Sequence, residues 1–398
     1  MKGIKLVFLF ILPLISASQE LSFALEQINA SAIIQSDLTG KGVKVGIIDG
    51  GFLNANERPS LSGHFKENRI SFYKDYITPN LKDYGGSRGQ DDGHGTQVWE
   101  NIGGMNPETK VQYGLATDSE YFLARTDHAV FERRIEEKYL IQAVQDMVKL
   151  GVRIINISLG YTNGYSRKNE NYTPEMIDGK STWITSSVDS LLAVHEVLLI
   201  VSAGNDGHTK WRTLSAPADS ENVLTVGASK LNLPEKMRYS SIGSEQLEYV
   251  KPDVSCFATA GTSFSAPVIT GLVACMVQKQ PDISNYEIIQ IIKGSSSLYP
   301  FPNNHTGYGV PDASKILSTM DSYQNHSMQI IESEKNRVFI ESNDTSRVVI
   351  YHKKDQWKVI RKENIKVKRR FKVKRISGAT STTVISDKLT PVEIIWKD

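Results

Sequence analysis

Short apolar segments rich in β-branched residues alternate with longer amphipathic segments between about residues 42 and 293. Strands that are apolar almost throughout are typical of a parallel sheet covered by helices on both faces. The predicted strands are 43–49, 110–116, 120–126, 153–159, 197–204, 222–229 and 250–258. The predicted helices begin at His94 and cover 136–150, 185–195, 264–279 and 284–293. This order predicts an α/β fold with a mostly parallel central sheet, and such sheets bind ligands at their carboxyl edge.

The sequence changes character after Ile316. The segments that follow are short, rich in β-branched and aromatic residues, and separated by Asn, Asp, Ser and Gly, which is typical of β-strands joined by turns. We therefore expect a small antiparallel β module over residues 325–398, after a larger domain over residues 19–318.

A cluster of basic residues lies within this module. Residues 353–375 contain twelve Lys and Arg against two acidic residues, although the whole chain has a net charge of only +2. Alternation along a strand would place these cations on one face: Lys366, Lys368, Arg370, Lys372 and Lys374. The apolar residues would take the other face: Ile365, Val367, Phe371 and Val373. The basic face either blocks edge pairing in solvent or docks to an anionic glycan or envelope surface. The chain as a whole is not basic enough to indicate nucleic-acid binding.

The first eighteen residues are typical of a secretory signal. Two lysines precede the apolar run Leu6–Ile15, and small residues at 16–18 follow it. Ten apolar residues span about 15 Å as a helix, roughly half of a bilayer, so a retained transmembrane helix is less favoured. We expect residues 1–18 to be cleaved and the protein to be secreted, periplasmic or located at the cell envelope.

Four polar residues stand where predicted strands end or helices begin. Asp49 ends VKVGIID and Asn205 ends VLLIVSAGN, while His94 begins one helix and Ser263 lies at the start of another. Each alone is typical of a turn or a helix cap. Together they supply an orienting carboxylate, a general base, an oxyanion donor and a nucleophile on one edge of a parallel sheet. This set predicts nucleophilic acyl chemistry at Ser263.

At these motifs the chain resembles the subtilisin-like serine peptidases, whose catalytic residues follow the order Asp, His, Ser. The resemblance covers about residues 25–316. It is carried by GKGVKVGIIDGGF (40–52), HGT (94–96), INISLG (155–160), VSAGNDG (201–207), KPDV (251–254), GTSFSAP (261–267) and GYGVPDA (307–313). It implies a subtilisin-like three-layer fold and a serine endopeptidase acting on polypeptides through Asp49, His94 and Ser263, with Asn205 in the oxyanion hole. No cofactor is implied, and a monomer is expected.

The resemblance also implies two substrate-binding segments. One edge of the cleft would consist of Ser158, Leu159 and Gly160, to which the substrate adds as a neighbouring strand. One wall of the primary specificity pocket would consist of Ser202, Ala203 and Gly204. Because these side chains are small, the pocket is expected to accept bulky apolar or aromatic residues.

Two departures from the family pattern concern chain length. Asp253 and Ser263 are only ten positions apart, where the family places a longer β-ribbon, so the leaving-group side of the cleft would be reshaped or the oxyanion hole loosened. About thirty residues separate the predicted signal from the Asp49 strand, which leaves no room for an inhibitory pro-region. We therefore expect the protein to fold unaided and to be active on export.

Two further departures concern the catalytic motifs. Gln97, Trp99 and Glu100 replace His and small residues on the helix that begins at His94, and a wider cleft floor would accommodate them. Gly50 replaces the hydroxyl residue that often follows the aspartate, which changes no catalytic role.

Other interpretations stay open. An inactive relative that captures peptides is favoured by the short span before Ser263, whereas an esterase or lipase is disfavoured because GxSxG is absent and the chain order differs. Cys256 and Cys275 are better explained as small buried residues than as a disulfide. The DDG sequence at 91–93 does not define a calcium site, and no metal ligand is predicted.

Overall fold

The computed structural model describes residues 20–79, 84, 93–128, 132–232, 235–325, 329–341, 346–354, 359–385 and 392–397. The predicted signal segment, residues 1–18, lies outside the described residues. The chain divides into two compact units, Met1–Leu317 and Ser318–Asp398.

The described helices and strands are numbered here in chain order. The helices are α1 (Phe23–Gln27), α2 (Ser31–Gln35), α3 (Ser62–Lys66), α4 (His94–Gly103), α5 (Ile135–Lys149), α6 (Trp183–Leu192), α7 (Ala266–Lys279), α8 (Asn285–Gly294) and α9 (Ala313–Asn325). The strands of the first unit are β1 (Glu20–Leu21), β2 (Lys44–Asp49), β3 (Ile70–Asp75), β4 (Val111–Gln112), β5 (Glu120–Arg125), β6 (Ile154–Ile157), β7 (Leu198–Ser202), β8 (Leu224–Ser229) and β9 (Val254–Phe257). The strands of the second unit are β10 (Gln329–Ser333), β11 (Arg337–Glu341), β12 (Ser346–Lys353), β13 (Val359–Val367), β14 (Arg370–Lys374), β15 (Ser381–Ile385) and β16 (Val392–Trp396).

Seven parallel strands form the central sheet of the first unit, in the order β3-β5-β2-β6-β7-β8-β9. The predicted α/β architecture is therefore confirmed. The predicted strand 110–116 was wrong, because only Val111–Gln112 is extended and it pairs with β1 outside the central sheet. Strand β3 was not predicted: it lies at an edge, where most of its side chains are only half-buried and the apolar pattern is weak.

Helices cover both faces of the sheet. On one face, α5 and α6 pack with strand residues such as Ile155 and Ile157. Neighbouring side chains of a strand point to opposite faces, so Asn156 points to the other face, where its Oδ1 accepts a hydrogen bond from Thr270 of α7. Helix α7 is buried from Ala266 to Val277, as expected for a helix that is apolar on all sides. Helix α7, and the turn before it, therefore lie on the face of the sheet to which Asn156 points.

The second unit is a β module. Strands β10-β16-β15-β12-β13 form a five-stranded sheet in which only the β10–β16 pair is parallel, and β11 and β14 form a separate antiparallel pair. Apolar residues from both sheets share one core, which includes Ile340, Val348, Val373, Val384 and Trp396. The prediction of a β module is confirmed, with one parallel pair added to the antiparallel sheet.

The basic segment is two strands rather than one. The chain leaves β13 at Val367 and enters β14 at Arg370, and these strands belong to different sheets. The predicted alternation nevertheless holds on each side of the break. Its cations are all exposed, whereas its apolar residues are buried or half-buried.

None of the helices in the described parts of the chain has both the length and the apolar composition needed to cross a bilayer.

Candidate active site

Asp49 and His94 meet at the carboxyl edge of the central sheet. Asp49 is the last residue of β2 and is fully buried, and His94 is the first residue of α4. The Oδ1 atom of Asp49 lies 2.6 Å from Nδ1 of His94 and also accepts the backbone N–H of Gly50 at 2.8 Å. Its Oδ2 atom makes no hydrogen bond within the described part of the chain. A carboxylate in this position fixes which imidazole nitrogen carries the proton and stabilises the imidazolium.

Ser263 lies in a short 3-10 turn, Thr262–Phe264, that precedes α7. The helix itself begins at Ala266, two residues later than predicted, so Ser263 stands outside the turn where the helix dipole acts most strongly. The ring of Phe264 packs against the His94 ring at 5.4 Å between centroids. The Ser263 hydroxyl is almost buried and donates a hydrogen bond to the carbonyl oxygen of Ser158 at 3.3 Å.

Asn205 is exposed just beyond β7, and Thr262 fixes the orientation of its carboxamide. The backbone N–H and the hydroxyl of Thr262 both donate to Asn205 Oδ1, at 2.9 and 3.1 Å. A backbone N–H can only donate, so Oδ1 must face the turn and Nδ2 must face away from it. The Nδ2 atom lies 3.4 Å from where a Cβ on Gly261 would stand. The carboxamide is thus held one residue from Ser263 with its N–H groups available to a carbonyl oxygen.

A buried chain of polar groups connects the Ser263 turn to helix α7 through Ser158 and Asn156. Thr270 donates to Asn156, and Asn156 Nδ2 donates to Ser158 Oγ at 2.9 Å. Ser158 Oγ in turn donates to the carbonyl oxygen of Ser263 at 2.9 Å. The sequence analysis missed Asn156, Thr270 and Thr262. A carboxamide inside the apolar run RIINISL was the available signal, because a buried amide needs partners.

The two predicted substrate-binding segments lie on neighbouring strand ends. Residues Ser158–Gly160 follow β6, and their exposure rises from buried Ser158 through half-buried Leu159 to exposed Gly160. The other three residues, Ser202, Ala203 and Gly204, are all buried.

Ser215 lies between these two segments and was not predicted. A Cβ built on Gly160 would stand 2.5 Å from Ser215 Cβ, and one built on Gly204 would stand 2.4 Å from Ser215 Oγ. Glycine is therefore required in both walls, because a side chain on either would overlap Ser215. Ser215 closes the space between the walls with a small polar group.

Trp99 does not widen the cleft floor, so that expectation was wrong. Its indole is fully buried, stacks on His64 at 5.3 Å and packs at a tilt against Tyr121 at 5.1 Å. Tyr121 belongs to the amino-terminal half of β5, away from the carboxyl edge. Gln97 is exposed, and Glu100 accepts a hydrogen bond from Ser60.

The short span before Ser263 is held by the N-terminal helix. Gln27 of α1 accepts the backbone N–H of Phe257 at 2.6 Å and donates to the carbonyl oxygen of Lys230 at 2.7 Å. The Phe23 ring packs edge-on against Phe257. The end of β9, from which the chain proceeds to Ser263, is thereby tied to the end of β8.

Both cysteines are buried and free, as their interpretation as small core residues predicted. Among the described residues, no group of three or more His, Cys, Asp or Glu side chains is arranged to hold a metal ion. Asp91 and Asp92, the acidic residues of the DDG sequence, lie outside the described residues.

Known proteins resemble the first unit over most of its length. The model of the subtilase family matches residues 40–309. Subtilisin BL of Lederbergia lenta is 26% identical over 297 residues, which are 71% of this chain and 96% of that protein. Subtilisin DY of Bacillus licheniformis is 25% identical over 281 residues, 68% of this chain and 89% of that protein.

Solved structures show the same fold. The CspB protease of Clostridium perfringens aligns with a TM-score of 0.58 and 14% identity, covering 75% of this chain and 99% of that one. MycP1 with its N-terminal propeptide removed aligns with a TM-score of 0.55 and 22% identity, covering 74% and 96%. Because the family model matches well over half of the chain, and the Asp49–His94 pair stands beside the Ser263 turn, the protein belongs to the subtilase family of serine peptidases.

Proposed function

We propose that this protein is an exported endopeptidase in which Ser263 is the nucleophile, His94 the general base, Asp49 the orienting carboxylate and Asn205 an oxyanion donor. The observation that carries the proposal is the 2.6 Å contact between Asp49 and His94 beside the turn that bears Ser263. The orientation of Asn205 by Thr262 supports its role independently.

The chemistry proceeds through an acyl-enzyme. The Ser263 oxygen attacks the peptide carbonyl carbon while its proton passes to His94 Nε2, and Asp49 stabilises the resulting imidazolium. The carbonyl oxygen becomes negative and accepts hydrogen bonds from Asn205 Nδ2 and from the backbone N–H of Ser263. His94 then protonates the departing amine, and the same groups use water to hydrolyse the ester.

In the proposed reaction the Ser263 hydroxyl leaves its present partner and turns to His94. The Ser263 hydroxyl donates to the Ser158 carbonyl, which lies on the proposed substrate-binding segment. A substrate N–H that binds this carbonyl would displace the hydroxyl, which then turns to His94. Catalytic hydrogen bonds often tighten only when substrate is bound.

A second candidate is a relative that binds peptides without hydrolysing them. The observation that favours it is the same Ser263–Ser158 hydrogen bond, which occupies the nucleophile. In that case Ser263 would keep its bond to Ser158 with peptide present.

Labelling with a serine-directed fluorophosphonate, combined with hydrolysis of casein, separates the two candidates. We expect the wild type to be labelled and to hydrolyse casein, and Ser263→Ala to do neither. Ser190→Ala is the matched control, because Ser190 is an exposed serine on α6 whose hydroxyl only bonds within its helix. Absence of labelling in the folded wild type would favour the binding protein, and labelling without proteolysis would indicate esterase-like chemistry.

We also propose that the basic residues of the second unit bind an acidic glycan of the cell envelope. The support is the exposure of the alternating cations Lys366, Lys368, Arg370, Lys372 and Lys374. Phe339, which is half exposed, adds an aromatic surface to this face, with the Arg370 guanidinium 4.7 Å from its ring centroid.

Retention on dextran sulfate tests this second proposal with the full chain. We expect retention at low salt and release at about 0.5 M salt, where the screening length falls to a few ångströms. Replacing Lys372 and Lys374 by glutamate should abolish retention, whereas Lys149→Glu, an exposed control on α5, should keep most of it. Equal retention of both variants would contradict the proposal, and retention on anionic vesicles alone would indicate a lipid surface instead.

A further inference from the structure

A cavity lies next to the proposed oxyanion residue. It has a volume of about 670 Å³ and is lined by residues that follow β7, residues that follow β8 and residues of the loop at 303–306. Gly207 is one of these lining residues and comes two positions after Asn205. Because two extended residues span at most about 7 Å, the wall of the cavity comes within that distance of Asn205. The cavity therefore opens at the same edge of the sheet as the proposed active site.

Lys236 fixes a positive charge in this wall. Its Nζ atom lies 2.9 Å from where a Cβ on Gly207 would stand. The ammonium donates to three backbone carbonyl oxygens at 3.2, 3.0 and 3.0 Å, which belong to Met237, Arg238 and Ser240. An ammonium has three donors, so these bonds hold it in place, and carbonyl oxygens carry no formal charge that would neutralise it. The side chain therefore gives the cavity a positive charge in a fixed position.

Other basic side chains of the lining have donors to spare. Arg238, His208 and His305 line the cavity and are exposed. Within the described parts of the chain, none of these three side chains has a carboxylate or carbonyl partner. The described lining residues include one carboxylate, that of Glu235, and it pairs with Lys230 at 2.7 Å. The cavity therefore holds positive charge that no described acid offsets.

The titration of the lining residues agrees with this charge. Burial lowers the pKa of the Lys236 amine, and the positive charge of Arg212 lowers it further. Burial also lowers the pKa of His305, and Lys236 and Arg212 add to that shift. Asp206 does not line the cavity, and its Oδ1 atom accepts the Thr209 hydroxyl at 3.3 Å. Cations that disfavour one another's charge are stabilised by an anion placed among them.

The cavity lies on the leaving-group side of the proposed catalytic residues. The sheet order β6-β7-β8 places Ser158–Gly160 after the first of these strands, Asn205 after the second and Lys236 after the third. In the proposed function, Ser158–Gly160 binds the acyl side of the substrate, and Asn205 receives the carbonyl oxygen of the cleaved bond. The leaving-group side of the peptide therefore continues past Asn205 towards the cavity.

The cavity wall is also tied to the chain that carries the proposed nucleophile. The Gly207 N–H donates to the Tyr239 carbonyl oxygen at 2.7 Å, and the Tyr239 hydroxyl donates to the Ala258 carbonyl oxygen at 2.5 Å. Ala258 lies between β9 and the Ser263 turn. Backbone contacts thus hold the wall of the cavity and the Ser263 turn in one network.

We propose that this cavity binds a carboxylate of the peptide substrate on the leaving-group side of the scissile bond. The inference rests on the proposed function and names a substrate class for it: peptides that carry an acidic side chain, or end in a free carboxyl group, shortly after that bond. Both sources present the same planar anion. The Arg238 guanidinium matches its geometry with paired N–H donors, and Lys236 supplies the fixed charge.

A peptide series with one varied position tests the cavity. Internally quenched peptides with an amidated end carry Glu or Gln, which differ in charge but not in shape, at each of three positions after the cleaved bond. At one position we expect kcat/KM of the Glu peptide to exceed that of the Gln peptide by about tenfold, the equivalent of one charge-assisted hydrogen bond. Arg238→Gln should bring this ratio close to one by lowering kcat/KM of the Glu peptide. Lys149→Gln removes an exposed positive charge before β6, at the opposite edge of the sheet, and should keep the ratio.

A second series identifies the source of the carboxylate. Its peptides end two or three residues after the cleaved bond, either as the free acid or as the amide. Faster cleavage of the free acid would show that the cavity binds the chain end, whereas a preference for Glu in the amidated series would show that it binds a side chain. Either result supports a carboxylate in the cavity.

Two further arms make each outcome decisive. Should the wild type cleave no peptide, the proposed function fails, and the cavity is tested alone by the fluorescence anisotropy of labelled Glu and Gln peptides binding to Ser263→Ala. Should Arg238→Gln not fold, the wild-type ratio is measured in about 0.05 M and 0.5 M salt, between which screening should lower it severalfold. No preference for Glu or for the free acid, an unchanged ratio in folded Arg238→Gln, or a ratio independent of salt would overturn the inference.

Discussion

Asp253 occupies the centre of a buried charge cluster, so its removal is a sharp test of what stabilises the first unit. Its carboxylate accepts hydrogen bonds from Lys251 Nζ, Lys293 Nζ and the backbone N–H of Thr225, each at 2.7 Å. Lys251 is 1% exposed. Burial lowers the pKa of the Lys251 amine, and the Asp253 carboxylate opposes that shift. The contact with Asp253 thus offsets part of the burial penalty on the Lys251 charge.

We expect Asp253→Ala to lower the free energy of unfolding by about 3–5 kcal/mol, the cost of removing one partner from a buried ion pair. The Lys251 ammonium would keep the carbonyl oxygen of Val223, at 2.6 Å, as an acceptor but would lose its counter-charge. For the unit of 317 residues, the unfolding entropy is about 0.65 kcal/mol/K. The melting temperature of this unit should therefore fall by about 5–8 °C.

Differential scanning calorimetry at neutral pH measures this shift, with Asp282→Ala as a control because Asp282 is exposed on a turn. The double variant Lys251→Met/Asp253→Leu separates charge from packing, since replacing a buried ion pair by apolar residues is often neutral. We expect the double variant to recover most of the loss. A fall below about 2 °C for Asp253→Ala, or a double variant no more stable than the single one, would refute the reasoning from an uncompensated charge.

Three further predictions concern the site and its surroundings. Asn205→Ala should lower kcat by about 10²–10³-fold, the loss that subtilisin shows for its oxyanion asparagine. Thr262→Val should lower kcat by a smaller factor and leave KM unchanged. An equal rise in KM for both variants would contradict an oxyanion role for Asn205. Gln27→Ala should lower the melting temperature by about 2–4 °C because it removes the Gln27 hydrogen bonds to the backbone of Lys230 and Phe257, at the ends of β8 and β9. Gln97→Ala, at an exposed position, should leave the melting temperature unchanged. Burial and neighbouring acids raise the pKa of Glu132 to about 7 and that of Glu136 to about 8. Because the folded protein holds these protons more tightly than the unfolded chain, the contribution of the two groups to the free energy of unfolding is complete below about pH 4.5. It is lost as the pH rises from there through 7 and 8. Thermal melts should therefore show a fall in stability over that window that Glu132→Gln reduces, and a pH-independent difference between the two proteins would contradict these pKa values.

Local patterns were sufficient for the central sheet and for the positions of its polar residues. The strands β2, β5, β6, β7, β8 and β9 are apolar almost throughout, and a buried parallel strand leaves that signature in the sequence regardless of its neighbours. Asp49 and Asn205 were predictable for the same reason, because a polar residue at the end of such a run stands at the carboxyl edge. The edge strand β3 lacks this signature because most of its side chains are only half-buried, unlike those of the other edge strand, β9.

Pairing partners were not predictable from the same patterns. Alternation predicted which residues of 365–374 are exposed, because exposure depends only on the pleat of the strand. It could not predict the break between Val367 and Arg370, which follows from β13 pairing with β12 and β14 pairing with β11. Register and sheet membership depend on residues far away in the chain, so periodicity carries no information about them.

The state of Ser263 illustrates the same limit at the proposed active site. Its motif predicted a nucleophile near a helix start. The hydroxyl's partner is the carbonyl oxygen of Ser158, which follows β6 and lies 105 residues earlier in the chain. Asn156 and Thr270 hold Ser158 in place on the α7 face of the sheet. The Ser158 carbonyl accepts the Ser263 hydroxyl, and the Ser158 hydroxyl donates to the Ser263 carbonyl. In the proposed mechanism the same residue would anchor the backbone of Ser263 and compete with His94 for its hydroxyl. Substrate that binds the Ser158 carbonyl would remove the competition but leave the anchor, so binding itself would prepare the nucleophile for attack.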